Sequence, residues 1–375
     1  MPTLTASERD QRHLLRAIDL AGEAHGRTSP NPLVGAVIVK DGETIGEGFH
    51  AAAGEPHAER RALASCRTDP AGATLYVSLE PCAHEGRTPP CTQAITDAGI
   101  ARVVVASDDP SGKALGRGLG ILRDEGIRVE MAGNGAADAA RLLNQPFRKH
   151  ARTGRPLVIL KTAMTLDGKV ATSTGDSQWI SSEASRALGH RWRTDADAVA
   201  AGIGTALSDD PSLTAWMLDE PEGAGRRVIF DSEGRLPVAS RLVRTAAEAP
   251  VTVVCSRAAS RRATEALEAA GVEVITVAGE NERARVGAAL DELGARDVQS
   301  VLLEGGPHLA GAFFDAGEVD EVRTFIAPMI AGGRQARAPV EGQGVEAIGA
   351  APRAVSSTVE RIGEDVLITA RLQEW

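Results

Sequence analysis

The sequence predicts an α/β protein made of two successive layered domains, and three observations lead to that expectation. At 375 residues the chain is long for a single core, given a prior of roughly 150 residues per domain. Short apolar runs of strand character alternate with amphipathic helical patterns, the pattern of helices layered on a sheet. The polar stretch Ala151-Arg152-Thr153-Gly154-Arg155-Pro156 separates two such series and has the composition of a linker. The expected domains are therefore 1–150 and 151–375.

In the first series, residues 7–25 read as an amphipathic helix with Leu14, Leu15, Ile18 and Ala21 on one face and Gly26 past its end. Asn31-Pro32-Leu33-Val34-Gly35 leads into a strand at 36–39, and Asp41-Gly42 turns it into a second strand through Ile45. A helix follows His57; then come a strand at 74–79, a helix at 91–98, a strand at 102–106, a helix at 119–125, a strand at 127–131 and a helix at 136–148. The second series has strands at 157–161, 198–203, 227–231, 251–255, 273–277 and 299–304. Its helical patterns fall at 181–193, 260–270, 282–294 and 308–316, the last opened by Gly305-Gly306-Pro307. No internal repeat or low-complexity tract interrupts either series.

Composition narrows the function classes. A hydrophobic content of 43% with 25% charged residues is ordinary for a globular protein. No apolar run approaches the roughly 20 residues that a membrane helix needs, and residues 1–12 are too polar for a signal peptide, so a cytoplasmic protein is expected. The net charge of −10 argues against a general nucleic-acid surface, and any phosphate must be held by local groups. Four cysteines make no disulfide framework; Cys66 and Cys255 read as packing residues.

The other two cysteines carry chemistry. His57, Cys82 and Cys91 form a three-ligand zinc set, one zinc per chain, with the fourth position open to water. Residues two apart on a helix face different ways, so His57 and Glu59 share a site only if His57 stands where the chain enters the helix. Pro56, Pro81 and Pro90 each precede a ligand and would set all three at helix starts, where the dipole favours thiolate. Glu59 is then the proton carrier rather than a ligand.

The zinc-deaminase signature is H-x-E followed by P-C-x-x-C; here eight residues, not two, separate Cys82 from Cys91. The segment Cys82-Ala83-His84-Glu85-Gly86-Arg87-Thr88-Pro89-Pro90-Cys91 closely resembles the long-spacer zinc site of the bifunctional deaminase/reductase family of riboflavin biosynthesis. Lys161-Thr162-Ala163-Met164-Thr165-Leu166-Asp167-Gly168-Lys169, Ser177-Gln178-Trp179-Ile180 and the run from Thr205 through Asp209 to Thr214 are similar to the reductase half of that family. The resemblance implies a cytidine-deaminase-like N-terminal domain followed by a dihydrofolate-reductase-like C-terminal domain.

It further implies NADPH contacts at Met164, Trp179, Thr205, Asp209 and Ser232, and along Gly306, Pro307, His308, Leu309, Ala310, Gly311 and Ala312. Substrate contacts are implied at Ser177, Arg193, Leu213 and Glu304, and in the deaminase half at Asn31 and His50. The guanidinium of Arg193 suits two-pronged capture of phosphate. Trp216 stands where the family carries an arginine, and Arg226 or Arg227 could supply the missing contact. The implied partner is a small phosphorylated pyrimidine, without nucleic acid or membrane and with room for a homo-oligomer.

The residues by themselves leave other readings. His84 could close a structural zinc as a fourth ligand, or line the substrate phosphate path together with Arg87. His50 and Asn31 also read as a strand-end histidine and a turn asparagine, Asp167-Gly168 as a turn, and Lys161 as a strand-end charge. Glu304-Gly305-Gly306-Pro307 is a phosphate cradle in principle and an ordinary tight turn otherwise. The rival functions are a cytidine- or tRNA-type deaminase with an unrelated second domain, and a non-enzymatic module stabilised by zinc.

Overall fold

The structure, a computed structural model, describes residues 5–83, 89–112, 114–133, 135–215 and 225–375. It forms two compact units, Met1–Gly154 with Trp375, and Arg155–Glu374.

In the first unit, α1 (Ala6–Gly22) starts at Thr5, whose hydroxyl accepts from the Glu8 N–H while the Glu8 carboxylate accepts from the Thr5 N–H, a reciprocal cap. The hairpin β1 (Gly35–Lys40) and β2 (Glu43–Phe49) turns at Asp41-Gly42 as the sequence predicts. Strand β3 (Thr74–Leu79) lies antiparallel to β1, and β4 (Arg102–Ser107) and β5 (Arg128–Met131) follow in parallel, giving the order β2-β1-β3-β4-β5. Side chains alternate across each strand. Ile38, Leu75, Val77, Val103 and Val105 therefore pack under α2 (Ala58–Ala64), α3 (Cys91–Asp97) and α4 (Arg117–Asp124). Val37, Val39, Tyr76 and Val104 pack under α1 and α5 (Ala136–Leu143).

Helix α2 lies directly on the backbone of β2. A Cβ at Gly46 would stand 2.4 Å from the Ala62 carbonyl oxygen, and one at Gly48 would stand 2.5 Å from the Ala62 nitrogen. Only glycine admits so close an approach.

Two expectations near the end of this unit need correction. The helix expected at 136–148 is two helices, α5 and α6 (Gln145–Thr153). They part at Asn144, whose side chain accepts from the Leu33 N–H at 2.8 Å and donates to the Leu33 carbonyl at 2.9 Å. The expected linker is largely helical as well: α6 runs through Thr153 and stops at Gly154 in the left-handed region, an ordinary helix C-terminus.

In the second unit, β6 (Leu157–Thr165), β7 (Ala198–Gly202), β8 (Arg226–Phe230), β9 (Val251–Ser256), β10 (Glu273–Val277), β11 (Ser300–Leu303) and β12 (Glu321–Ala327) are parallel. The hairpin β13 (Ser356–Ile362) and β14 (Asp365–Arg371) adds antiparallel strands, and the order is β10-β9-β8-β7-β11-β6-β12-β14-β13. Helix α7 (Glu183–Asp195) follows β6. Helices α8 (Ile203–Asp209), α9 (Arg241–Arg244) and α10 (Arg261–Ala269) share one apolar core with the sheet; α11 (Glu282–Gly294) and α12 (Pro307–Ala316) share the other. The sequence reading missed α8, α9 and β12 to β14.

This topology positions a site. From β7 the chain steps outward through β8, β9 and β10, then returns to lay β11 on the other side of β7. At that return α8 and α12 leave neighbouring strands for opposite faces, which opens a crevice at the carboxyl ends of the strands.

The close contact of α2 on β2 generates a test. Gly48→Ala should destabilise the chain by about 1–3 kcal/mol, the usual cost of overpacking. Gly120→Ala in α4, where a Cβ would meet nothing within 4 Å, should be neutral or add up to about 1 kcal/mol. Urea unfolding of both variants checks the pair, and an unshifted Gly48→Ala midpoint would refute the packing.

Candidate active sites

The first site gathers at one edge of the first unit. His57 is the N-cap of α2, and Cys91 opens α3. Cys82 departs from expectation: it lies in the irregular segment after β3 and not at a helix start. The three ligand atoms lie within 4.8 Å of one another, with His57 Nδ1 at 3.5 Å from Cys82 Sγ and 3.3 Å from Cys91 Sγ. The Cys91 N–H donates to Cys82 Sγ at 3.3 Å. Hydrogen bonding to Cys91 holds the Cys82 thiol below its ordinary pKa, so this sulfur is biased toward thiolate. One imidazole and two thiols converging on a point fit a zinc ion by donor chemistry.

Glu59, on the first turn of α2, is 3% exposed. Burial pushes its pKa up, and a negative charge on Cys82 adds to the effect. A carboxyl so placed holds a proton more readily than one in water. His50 is buried as well, its ring edge-on to that of His57 with centroids 5.3 Å apart. His50 Nδ1 lies 3.3 Å from the Pro56 carbonyl, which can only accept, so Nδ1 carries the proton and Nε2 accepts from Asn31 Nδ2 at 3.1 Å. Burial lowers the His50 pKa. Asn31 and His50 thus stand together at the site. His84 and Arg87 lie outside the described residues.

Sequence reasoning overlooked Glu80, directly before the Pro-Cys pair. Its buried carboxylate accepts from the N–H groups of Gly116 and Gly118 at 3.0 and 3.1 Å. That anchors the start of α4 to the strand end that delivers Cys82.

The second site is a cavity of 1220 Å³ along the carboxyl ends of the parallel strands in the second unit. Among the expected residues, Ser177, Trp179, Arg193, Thr205, Asp209, Leu213, Ser232 and Glu304 line it, as do Gly306, Pro307, His308, Leu309 and Ala312. Met164 is not among the lining residues, and Ala310 and Gly311 are on the buried side of α12. The resemblance passed through these three positions without separating the two faces of their elements. Leu213 is buried and holds φ at +54°, a conformation that costs a leucine roughly 1–2 kcal/mol.

Glu304 sits at the inner end. Its oxygens accept from Arg193 Nε at 2.6 Å and Nη2 at 3.0 Å, Lys161 Nζ stands 3.6 Å away, and Arg193 Nη1 donates to the Thr214 carbonyl at 3.0 Å. Burial would raise the carboxyl, but Lys161 and Arg193 outweigh it and hold it at about 2. The expectation that Arg193 offers a free two-pronged face is therefore corrected, because that face grips Glu304. The suggested substitutes for the missing arginine are spent too. Arg227 is fully buried and donates to backbone carbonyls of Ser212, Leu242, Thr245 and Ala249, and Arg226 pairs with Glu273. Trp216 lies outside the described residues. Arg186, which the sequence did not single out, places its guanidinium 4.7 Å from the Trp179 ring, a cation–π contact.

Known proteins match both halves. Residues 7–107 match the cytidine and deoxycytidylate deaminase zinc-binding region, and residues 156–368 match the RibD C-terminal domain. The riboflavin biosynthesis protein RibD of Actinobacillus pleuropneumoniae is 40% identical over 96% of this chain and 94% of its own. That of Escherichia coli K12 is 38% identical over 96% and 98%. Among solved structures, Acinetobacter baumannii RibD superposes with a TM-score of 0.85 at 35% identity, covering 98% of this chain and 99% of that one. A Thermotoga maritima diaminohydroxyphosphoribosylaminopyrimidine deaminase/5-amino-6-(5-phosphoribosylamino)uracil reductase superposes with a TM-score of 0.84 at 35% identity over the same shares.

The ligand geometry sets an expected metal content. Elemental analysis should find close to one zinc per chain, Cys91→Ser should lose it, and Glu59→Gln should retain it, since the carboxylate is no ligand. Loss of zinc from Glu59→Gln would place that residue in the coordination shell.

Proposed function

Because this chain belongs to the RibD family of riboflavin biosynthesis, we propose how its residues divide two consecutive reactions between a deaminase domain at 1–150 and a reductase domain at 151–375. The enzyme deaminates diaminohydroxyphosphoribosylaminopyrimidine to 5-amino-6-(5-phosphoribosylamino)uracil and then uses NADPH to reduce the ribosyl group to ribityl. The observation that carries the division is the pairing, in one chain, of a His57, Cys82 and Cys91 cluster beside buried Glu59 with a strand-end cleft ending at Glu304.

In the deaminase site His57, Cys82 and Cys91 would hold a zinc ion, which when bound would lower the pKa of water toward neutrality and so supply a nucleophile. Glu59, buried beside these ligands, would take up the proton of the attacking water and deliver it to the amino nitrogen, which would leave as ammonia as its bond to carbon breaks. Its burial matches it to both tasks: a raised pKa lets the same oxygen accept a proton and give it up. Asn31 and His50 orient the pyrimidine edge through their hydrogen-bonded pair.

In the reductase site NADPH, when bound, would supply hydride to the sugar C1′ as the bond from C1′ to the ring oxygen breaks and that oxygen takes a proton, opening ribosyl to ribityl. Gly306 and the first turn of α12 would receive its pyrophosphate at the positive end of the helix dipole, Trp179 would offer its ring to the nicotinamide, and Thr205, Asp209 and Ser232 would line the rest of the cofactor site. Glu304, Arg193, Ser177 and Leu213 face the sugar phosphate end. There Arg193 acts while fixed by Glu304, so its contribution is a rigid positive charge.

The chain acts on a small pyrimidine; we place it in the cytoplasm, where its zinc-binding thiols stay reduced, acting without nucleic acid. No described helix is long and apolar enough to cross a membrane. A homo-oligomer is compatible with this reading.

Two assays test the assignments. Given the diaminopyrimidine substrate without NADPH, the wild type should accumulate the deaminated uracil, and Glu59→Gln should do so at least about 100-fold more slowly; normal deamination by Glu59→Gln would sink the proton-carrier role. Arg193→Ala should raise KM for the phosphorylated substrate with little change in NADPH affinity, and Arg193→Lys should recover part, since an ammonium restores the positive charge but cannot reproduce the two-pronged grip on Glu304 that holds it in place. A loss confined to NADPH would move Arg193 to the cofactor.

A further inference from the structure

Cys82 differs from the other two zinc ligands in what holds it. His57 stands at the N-cap of α2 and Cys91 opens α3, whereas Cys82 lies in irregular chain after β3. Its position therefore depends on bonds made across the fold. On one side the first turn of α3 grips the residue itself: the Thr92 N–H donates to the Cys82 carbonyl at 3.2 Å, and the Cys91 N–H donates to its sulfur at 3.3 Å. On the other side the grip falls two residues earlier, on Glu80.

Glu80 is 4% exposed. Its N–H donates at 3.0 Å to the carbonyl of Ser107, the last residue of β4. Its carboxylate crosses to α4, where Oε2 accepts from the Gly116 N–H at 3.0 Å and Oε1 accepts from the Gly118 N–H at 3.1 Å. Gly116 is the N-cap of that helix, held at φ +77° and without a side chain to accept the free N–H groups of the first turn. A carboxylate 36 positions away does so instead, where the helix dipole favours its charge. The backbones also meet closely, since a Cβ at Gly118 would stand 2.1 Å from the Pro81 carbonyl oxygen. Glu80 and Pro81 are thus fixed to β4 and α4, and Cys82 is the next residue.

We propose that Glu80 is a positioning residue of the deaminase site: by capping α4 from the strand end it fixes where Cys82 presents its sulfur, and so sets zinc affinity and ligand geometry. The inference rests on the reading that His57, Cys82 and Cys91 hold zinc. Both carboxylate oxygens are engaged by α4, so Glu80 acts through the chain. A strand end anchored in this way presents the sulfur, 3.5 Å from His57 Nδ1, with little further ordering. A loose one must be ordered by the ion, at a cost in binding. Supporting contacts around metal ligands are worth about 10–100-fold in affinity.

The test uses the full-length chain and measures zinc affinity, by competition with a chromophoric chelator, and the visible spectrum of the cobalt(II)-loaded protein. Glu80→Gln keeps the shape of the side chain but turns an amide donor toward a helix N–H. Gly118→Ala keeps the Glu80 charge and forces α4 away from the Pro81 carbonyl. Both should bind zinc about 10–100-fold more weakly and shift the cobalt bands; at saturating zinc both should lower kcat for deamination more than they raise KM. Gly120→Ala, on the same helix with open space at its Cβ, should leave zinc affinity and the cobalt spectrum unchanged. Glu80→Asp keeps the charge but is one methylene shorter, and it serves in place of Glu80→Gln if the amide does not fold. Unchanged zinc affinity and cobalt bands in both variants, with only a lower urea midpoint of the zinc-free chain, would reduce Glu80 to a structural role and overturn the proposal. A loss in Glu80→Gln without one in Gly118→Ala would trace the effect to charge and overturn it as well. A wild type that binds no zinc would overturn the ligand set and the proposal together.

Discussion

The first unit depends on a helix resting on bare backbone. Because Gly46 and Gly48 carry no Cβ, α2 settles onto β2 at a depth no other residue pair allows, and His57 and Glu59 ride at its leading end. That depth brings His57 Nδ1 within reach of two sulfurs delivered by other elements. It also seals Glu59 from water, and the same burial raises its pKa. Metal geometry and proton chemistry thus follow from one packing contact.

The second unit solves the opposite electrostatic problem. Burial raises the pKa of Glu59 despite the opposing pull of His57; Glu304 is buried between Arg193 and Lys161, which outweigh burial and hold its pKa down. A buried pair of this kind contributes little net stability, yet losing one partner costs about 3–5 kcal/mol because the other charge is stranded. The triad therefore fixes the inner wall of the cleft through the penalty for breaking it. Two buried carboxylates in one chain are thus shifted in opposite directions by their surroundings.

Much of this was legible in the sequence. The zinc ligands and Glu59 lie within 35 positions, and their spacing constrains local geometry; the alternation of strands and helices reported both layered domains. What escaped was non-local or unpatterned. The break at Asn144 comes from its pairing with Leu33, 111 positions away, and no local signal announces it. Strand β13 is exposed along nearly its whole length, so it lacks the apolar alternation that marks a strand. The commitment of Arg193 to Glu304 joins residues 111 apart, and motif matching lists both without showing that they hold each other. Ala310 and Gly311 were included because a run of matched positions carries no information about which face of α12 each occupies.

The placement of β6 has a consequence for how the chain assembles. It is the first strand of its sheet to be synthesised, yet its neighbours are β11 and β12, so Leu160 waits for Leu303 and Val322. During synthesis at about 5–20 residues per second, Val158 and Leu160 have no permanent partner for roughly ten seconds or more, while the first unit already has every strand it needs. An apolar strand with both edges open is a template for pairing with other chains. The reductase half is therefore the slow and vulnerable part of biogenesis, a burden set by strand order and independent of its chemistry.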